Sequence, residues 1–264
     1  MRRDSVGYTM MVAAVLCIVC SVLVSGAAVG LRSRQQANKD AFRKENILIA
    51  AGMLEKDQSV EELFEARIQE QLIDLATGTP ASADAVPAPY DQRSAARDPD
   101  LSVRIDTAQD VAGIKRREKY SQVYLVRQEN GELEKIVLPV YGKGLWSTLR
   151  GFLALEADLN TVAGLTFYEH KETPGLGGEI DNPLWKAKWP GKLLRDSEGA
   201  IQLEVIKGQV QAGTPRAQHQ IDGLSGATIT SRGVSNLIRY WLSDNAFGPF
   251  LDQIAKGNLG ENDG

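Results

Sequence analysis

The chain has 264 residues, enough for one large domain or two small ones, and its 43% hydrophobic and 24% charged residues are ordinary for a globular protein. Its formal net charge of −4, without a dominant basic face, argues against a nucleic-acid partner. Both cysteines, Cys17 and Cys20, lie in one apolar segment, so the rest of the chain has neither a disulfide nor a thiolate metal site. Because His170 and His219 are also far apart in sequence, we expect no metal site.

Residues 8–31 contain no charged side chain and are rich in Val, Ala, Leu, Ile and Met. A helix of this length crosses about 30 Å of hydrocarbon with some tilt. Arg2 and Arg3, followed by small residues at 25–27, also suit a cleavable signal peptide, but the apolar run is longer than such peptides usually have. The sequence therefore favours a short tail, residues 1–7, and an uncleaved transmembrane helix in the lipid bilayer.

Helices and a linker are predicted after the apolar segment. Residues 35–54 have the apolar spacing of a helix. A second helix begins at Ser59, which forms a capping box with Glu62, and continues to Ile73. Pro, Ala, Asp and Ser are frequent in residues 77–100, which predicts a loop or linker.

The middle of the chain predicts two successive β-hairpins and a later strand. The first hairpin turns at the Asn-Gly pair of residues 130–131, and the second turns at residues 158–160. The predicted strands are residues 121–127, 133–140, 150–157, 162–168 and 203–207. Two consecutive hairpins indicate an antiparallel sheet, and helices before and after it indicate an α+β fold rather than a doubly wound one. The dinucleotide-binding and P-loop glycine motifs are missing, so we expect no NADH site in this chain.

A turn rich in small residues and hydroxyls, residues 222–228, leads into the last predicted helix. From Ser231 the apolar residues follow a helical period, at Val234, Leu237, Ile238, Trp241 and Leu242. Thr230 or Ser231 is the expected N-cap. The turn brings hydroxyls to a helix N-terminus, where unpaired N–H groups and the helix dipole favour a phosphate. Local physics alone also suits an ordinary helix cap that binds nothing.

The string D-x-x-S-G-A-T at residues 222–228 resembles the flavinylation motif of bacterial membrane redox complexes, whose last threonine carries FMN through a phosphoester. Other matching segments are N-I-L with A-A-G at residues 46–52, Y-G-K-G-L-W-S at 141–147, and H-K-E-T-P-G-L-G-G-E-I with D-N-P-L-W at 170–185. Together they resemble the C subunits of sodium-translocating NADH:quinone reductases. The related G subunits of Rnf complexes share the anchor and the flavin motif. The stretches at residues 50–52 and 178–183 favour the first family.

The resemblance implies an electron-carrier subunit with FMN attached to Thr228 and with no catalytic residues of its own, because electrons pass through the flavin. It implies partner subunits in a bacterial inner-membrane complex that oxidises NADH, reduces ubiquinone and exports sodium. A flavin transferase would transfer FMN from FAD to the threonine and release AMP. We expect juxtamembrane helices and the linker in residues 32–100, an FMN-binding domain in residues 101–256, and a tail in residues 257–264.

The predicted cofactor-binding residues lie in three segments. Around Thr228 they are Asp222, Ser225, Gly226, Ala227 and Thr230. A flat slot for the isoalloxazine ring is expected from Thr173, Gly175, Leu176 and Gly177. Trp146 either stacks on the ring or packs in the core, and Lys143 meets the phosphate or the reduced flavin. Without the resemblance, the last two segments suit ordinary glycine-containing turns.

The sequence leaves alternatives open for the side of the membrane on which the large domain lies and for the function of the protein. More Lys and Arg residues follow the apolar segment than precede it; those that follow are Arg32, Arg34, Lys39, Arg43 and Lys44. By the positive-inside rule this places the large domain in the cytoplasm. The resemblance implies the periplasmic side, which we expect because long domains translocate despite flanking charge. The alternative functions are a G-type flavoprotein of an Rnf ferredoxin:NAD oxidoreductase and a non-redox, membrane-anchored extracytoplasmic binding module.

Overall fold

The computed structural model describes residues 6–54 and 58–258. Arg2, Arg3 and most of the two predicted tails lie outside the described residues. The chain divides into two units, one ending at Arg43 and the other beginning at Lys44. The second unit therefore includes residues that the sequence assigned to a juxtamembrane linker, and the predicted start of the flavin-binding domain at residue 101 stays a prediction.

The first helix, α1 (Val6–Ala50), is a single element in place of the two helices expected. Within the part of the chain that the structure describes, it alone is long and apolar enough to cross a membrane. The helix ends in a Schellman motif: Gly52 has a φ of +67°, and the Met53 N–H donates to the Leu48 carbonyl at 2.9 Å. The predicted end at Leu54 was wrong because Gly52 ends the helix earlier.

The second predicted helix is half helix and half strand. Helix α2 (Val60–Arg67) has the expected N-cap, since the Ser59 hydroxyl accepts from the Glu62 N–H at 3.4 Å. Strand β1 (Ile68–Asp74) follows and pairs antiparallel with a strand about 50 residues further along the chain. The extension of the helix to Ile73 was wrong because this long-range pairing outweighs the local helical spacing.

The segment predicted as a linker packs against the sheet. It contains a short helix, α3 (Gln92–Ala95), and is followed by the paired strands β2 (Ser102–Arg104) and β3 (Arg116–Glu118). The Tyr90 hydroxyl donates to the Tyr120 carbonyl at 2.6 Å. The segment is therefore a loop, as predicted, but it is held in place by the domain.

The main sheet has five antiparallel strands in the order β1-β4-β5-β6-β7. The two predicted hairpins supply four of them: β4 (Tyr120–Arg127), β5 (Leu133–Lys143), β6 (Thr148–Glu156) and β7 (Val162–Glu169). The short helix α4 (Pro183–Lys186) follows, and β8 (Glu204–Val205) pairs parallel with β9 (Gln220–Ile221). The predicted strand at residues 203–207 exists but is only two residues long.

Helices cover both faces of the sheet. One face packs on the end of α1 and on α2 through Ile47, Leu48 and Phe64. The other packs on the C-terminal helices α5 (Thr228–Trp241) and α6 (Gly248–Ala255). Successive strand residues point to opposite faces, so strands apolar on both sides need cover on both sides. The α+β fold predicted from the sequence is confirmed.

Helix α5 lies in backbone contact with the end of β5. A Cβ on Gly233 would stand 2.5 Å from the Lys143 carbonyl oxygen, so only glycine permits this approach. The Trp241 indole donates to the Tyr141 carbonyl at 2.7 Å. These two contacts fix α5 along β5 and bring its N-terminus close to the loop that follows the strand.

Candidate functional site

Helix α5 begins at Thr228, and its N-cap is Ala227, which has no side-chain oxygen to cap the first turn. The prediction that Thr230 or Ser231 caps the helix was wrong. Both hydroxyls have tertiary partners instead: Ser231 accepts from the Leu224 N–H at 3.1 Å, and Thr230 donates to Glu172 at 2.6 Å. Thr228 is exposed at the start of a helix whose first turn has no side-chain cap.

Asp222 holds the turn that precedes α5. One carboxylate oxygen pairs with Lys188 and the other accepts from the Val210 N–H at 2.7 Å. The backbone carbonyl of Asp222 accepts from the Trp185 indole at 2.9 Å. Burial opposes ionisation of Asp222, but the hydrogen bonds from Lys188 and Val210 and the positive charge of Lys188 outweigh it, so its pKa lies below the ordinary value. Asp222 therefore anchors the turn to α4 and its neighbours.

Ser225 and Gly226 form the exposed tip of the same turn. Gly226 has a φ of +71°, in the left-handed region that favours glycine. A Cβ placed there would stand 2.9 Å from Leu176 Cδ2. The tip of the flavinylation-type motif and the predicted ring-slot loop are therefore in direct contact.

The loop that contains Thr173, Gly175, Leu176 and Gly177 packs beside this tip. The Thr173 carbonyl accepts from the Leu176 and Gly178 N–H groups at 3.1 and 2.9 Å, which closes a compact turn. Leu176 remains 44% exposed, although it is a large apolar residue. Gly177 is buried, and a Cβ there would stand 2.6 Å from the Thr230 hydroxyl oxygen. The loop thus packs on the first turn of α5 while it leaves Leu176 accessible.

Trp146 lies in the loop between β5 and β6 and is 70% exposed. The alternative that Trp146 packs in the core was therefore wrong. By contrast, Trp185 and Trp189 are core residues that contact each other edge to face, with ring centroids 5.4 Å apart. The Lys143 side chain is exposed at the end of β5. Two large apolar side chains, Trp146 and Leu176, thus remain accessible in loops that border α5.

Glu172 was not among the predicted site residues, yet it connects all three segments. Its carboxylate accepts hydrogen bonds from the N–H groups of Leu145, Trp146 and Ser147 and from the hydroxyls of Ser147 and Thr230. These partners are 25 to 58 residues away in sequence. The only sequence signal was its position inside the H-K-E-T-P-G-L-G string, which does not indicate what it binds.

A cleft opens beside the turn that precedes α5. Its volume is about 880 Å³, and Thr228, Ser225 and Gly226 form part of its wall. Lys207 and Arg232 also line the cleft. Thr228 therefore borders a cleft lined by both polar and apolar residues, whose charged side chains are Glu204, Lys207, Arg232 and Arg239, while Trp146 and Leu176 are not part of its lining.

Residues 144–243 match the family model described as an FMN-binding domain. The C subunit of the Na(+)-translocating NADH-quinone reductase from Pseudomonas aeruginosa is 50% identical over 97% of this chain and 98% of its own length. The corresponding protein from Yersinia pestis is 46% identical over 98% of this chain and 96% of its own length. The chain belongs to the family of Na(+)-translocating NADH-quinone reductase C subunits. The family predicted from the motifs is confirmed.

Solved structures of this family share the fold. The crystal structure of Shewanella oneidensis NqrC matches with a TM-score of 0.76 and 36% identity, over 83% of this chain and 99% of that one. The C subunit from Parabacteroides distasonis matches with a TM-score of 0.63 and 27% identity, over 84% of this chain and 96% of that one. The matched FMN-binding segment begins at Gly144 and includes Trp146, Glu172, Leu176 and Thr228, so it contains the site assembled above.

Proposed function

We propose that this protein carries FMN covalently on the Thr228 hydroxyl, through a phosphoester, as an electron carrier of a sodium-translocating NADH:quinone reductase. The observation that carries the proposal is the exposure of Thr228 at the uncapped N-terminus of α5, beside the Leu176–Gly226 contact. The family supports FMN as the cofactor and other subunits of a membrane complex as partners. The phosphoester and its position are the proposed part.

The N-terminus of α5 suits the phosphate of the flavin. The first turn of a helix presents N–H groups and the positive end of the dipole, which together favour a negative group. Ala227 cannot cap this turn with a side chain. A phosphate bonded to Thr228 would therefore receive hydrogen bonds and a favourable field without displacing a capping residue.

Leu176 and Trp146 suit the other end of the cofactor. A flavin ring needs apolar contact with a few polar groups at its edge, and both side chains are large and exposed. When bound, FMN supplies one- and two-electron redox chemistry, while the protein sets its orientation and electrostatics. Packing on these two side chains would orient the ring and exclude water from its faces.

Attachment requires a flavin transferase, which we propose as a maturation partner. The Thr228 oxygen forms a bond to the FMN phosphorus of FAD, the pyrophosphate bond breaks, AMP leaves, and the hydroxyl proton is released. Both carboxylate oxygens of Asp222 already have partners. This supports a role for Asp222 in presenting the turn to the transferase rather than in taking the proton.

The protein is a single-pass inner-membrane protein through α1. We propose that the flavin-binding unit lies on the periplasmic side, in line with the resemblance and against the count of flanking Lys and Arg. It would receive electrons from one redox centre of the complex and pass them to another, on the route to ubiquinone. Protease treatment of intact spheroplasts tests the sidedness, because the protease reaches only a periplasmic unit.

Intact mass and visible absorption test the attachment. After export with a flavin transferase, the protein should gain the mass of one phosphoester-linked FMN and show flavin absorption that survives denaturation. A colourless protein of unmodified mass from native membranes would contradict the proposal and would favour the non-redox binding module.

A further inference from the structure

Glu172 is a buried carboxylate at the junction of the three segments that form the candidate site. It is only 5% exposed. Oε1 accepts from the Trp146 and Ser147 N–H groups at 3.0 and 3.2 Å and from the Ser147 hydroxyl at 3.1 Å. Oε2 accepts from the Leu145 N–H at 3.1 Å and from the Thr230 hydroxyl at 2.6 Å. Three consecutive backbone amides therefore converge on one side chain.

The surroundings of Glu172 have space for the carboxylate and for nothing larger. A Cβ on Gly144 would stand 2.7 Å from Oε1, and a Cβ on Gly177 would stand 2.9 Å from Oε2. Gly144 and Gly177 therefore leave the space that the carboxylate occupies when it reaches its hydrogen-bond donors. A side chain at either position would displace the carboxylate.

Within the part of the chain that the structure describes, the hydrogen-bond donors to Glu172 are N–H groups and hydroxyls rather than cationic side chains. Burial opposes ionisation, but the hydrogen bonds from Thr230, Trp146, Leu145 and Ser147 outweigh it, so the pKa of Glu172 lies below its ordinary value of 4.5. At neutral pH the residue is a fixed negative charge, stabilised by dipoles and not neutralised by an ion pair.

We propose that Glu172 is a positioning residue of the flavin site, which fixes the loop of Trp146 against the first turn of α5 and lowers the flavin potential through its negative charge. The second part rests on the proposed function. Four hydrogen bonds from residues 145–147 restrict the backbone that carries Trp146. A fifth comes from Thr230, which lies two residues after Thr228 on α5. A nearby fixed negative charge disfavours added electrons on the ring.

The positioning part is testable without flavin, by amide hydrogen exchange of the unflavinylated protein. E172Q is nearly isosteric, and its amide oxygen can replace only one of the two carboxylate oxygens as acceptor. Either the Leu145 N–H or the Trp146 and Ser147 N–H groups therefore face the amide NH2 group and lose their acceptor, and we expect their exchange to accelerate by roughly tenfold or more. E169Q is the control, because Glu169 is a more exposed carboxylate that pairs with Arg93. Unchanged exchange at residues 145–147 in E172Q would overturn the positioning role.

The electrostatic part is tested by redox titration of the flavinylated protein with two variants of opposite expected sign. E172Q removes the charge, so the flavin midpoint potential should rise. T230V keeps the carboxylate but removes its closest donor, so the charge is less compensated and the potential should fall. If the two substitutions only loosened the packing of the site, the flavin midpoint potential would shift in the same direction in both variants.

The outcomes separate this inference from the proposed function. If the wild-type protein carries no covalent FMN, the proposed function fails, while the exchange experiment still decides the positioning role. If the wild-type protein is flavinylated but both variants leave the potential unchanged or shift it in one direction, the electrostatic role is overturned. If E172Q fails to fold or to take up flavin, the T230V variant alone tests the electrostatic role. An unchanged or raised flavin potential in T230V would then contradict that role.

Discussion

Leu176 packs directly on the backbone of Gly226, whose missing Cβ would stand 2.9 Å from Leu176 Cδ2. The contact joins the loop after β7 to the turn before α5, two motifs that are about 50 residues apart in the sequence. Leu176 also remains 44% exposed, so part of its side chain is accessible to solvent. Because Gly226 lies two residues before Thr228, the contact places Leu176 next to the turn that we propose for flavin attachment.

Replacing Thr228 with valine should abolish covalent attachment. Thr228 is exposed, so T228V removes the acceptor hydroxyl with little change in the free energy of unfolding. T214V is the matched control, because Thr214 is an exposed threonine outside the three site segments and its replacement should leave the adduct intact. Intact mass and flavin fluorescence after denaturation decide the matter, and a surviving adduct in T228V would move the attachment elsewhere.

T230V should retain the adduct but destabilise the protein. Thr230 is fully buried, and its hydroxyl is the closest donor to Glu172. Loss of a hydrogen bond to a buried charged group typically costs about 1–3 kcal/mol. Chemical denaturation together with intact mass would show lower stability with full flavinylation. Loss of the adduct from a folded T230V protein would contradict the assignment of Thr228 as the only attachment point.

Replacing Gly226 with alanine should destabilise the domain through two separable effects. The left-handed backbone costs roughly 1–2 kcal/mol for a non-glycine residue, and the new Cβ also meets Leu176. G213A is the control, because Gly213 has a φ of +83° but open space where its Cβ would lie. In a double-mutant cycle, L176A should relieve part of the G226A cost, measured by chemical denaturation. If the changes in the free energy of unfolding of G226A and L176A simply add in the double variant, the Leu176–Gly226 contact does not contribute to the G226A cost.

Glu118 should contribute more to the stability of the domain in acid than at neutral pH. It is fully buried, and burial raises its pKa, although hydrogen bonds from Tyr141 and Gln92 oppose the shift. A carboxyl group with a raised pKa in the folded state contributes stability that is fully present below its unfolded value of about 4.5 and is lost as pH rises through the folded value.

The E118Q variant tests this assignment. Its stability relative to the wild type should therefore increase from pH 4.5 to neutral pH, as measured by denaturant unfolding at several pH values. Glu156, an acidic residue that is only partly buried at the end of β6, gives the control variant E156Q. An E118Q effect that does not change with pH would contradict the raised pKa.

The parts of the fold that the sequence predicted correctly depend on local signals. The Asn-Gly pair at residues 130–131 marks the first hairpin, and the paired strands β4 and β5 flank it as expected. Strand β1 was missed because the apolar positions Leu72 and Ile73 also fit a helical period, and its partner β4 is distant in sequence. Long-range pairing cannot be obtained from local periodicity alone.

The candidate site was predicted through its motifs but not through its contacts. The strings around Trp146, Leu176 and Thr228 identified three segments, and the structure brings these segments together around α5. Glu172 was missed because its role depends on donors in two other segments. The N-cap was wrong for the same reason, since tertiary partners of Thr230 and Ser231 use the hydroxyls that a local rule assigns to capping.

Replacing Leu176 with aspartate should lower the flavin potential without preventing attachment at Thr228. The added carboxylate would lie beside the ring, where a negative charge disfavours the reduced flavin, and a one-electron shift of about 60 mV corresponds to roughly 1.4 kcal/mol. L184D is the matched control, because Leu184 is 77% exposed in α4 and is not among the proposed flavin contacts. Redox titration of both flavinylated variants should show a lower potential for L176D alone, with slower quinone reduction in the assembled complex. An unchanged potential in a folded, flavinylated L176D protein would exclude this loop from the flavin site.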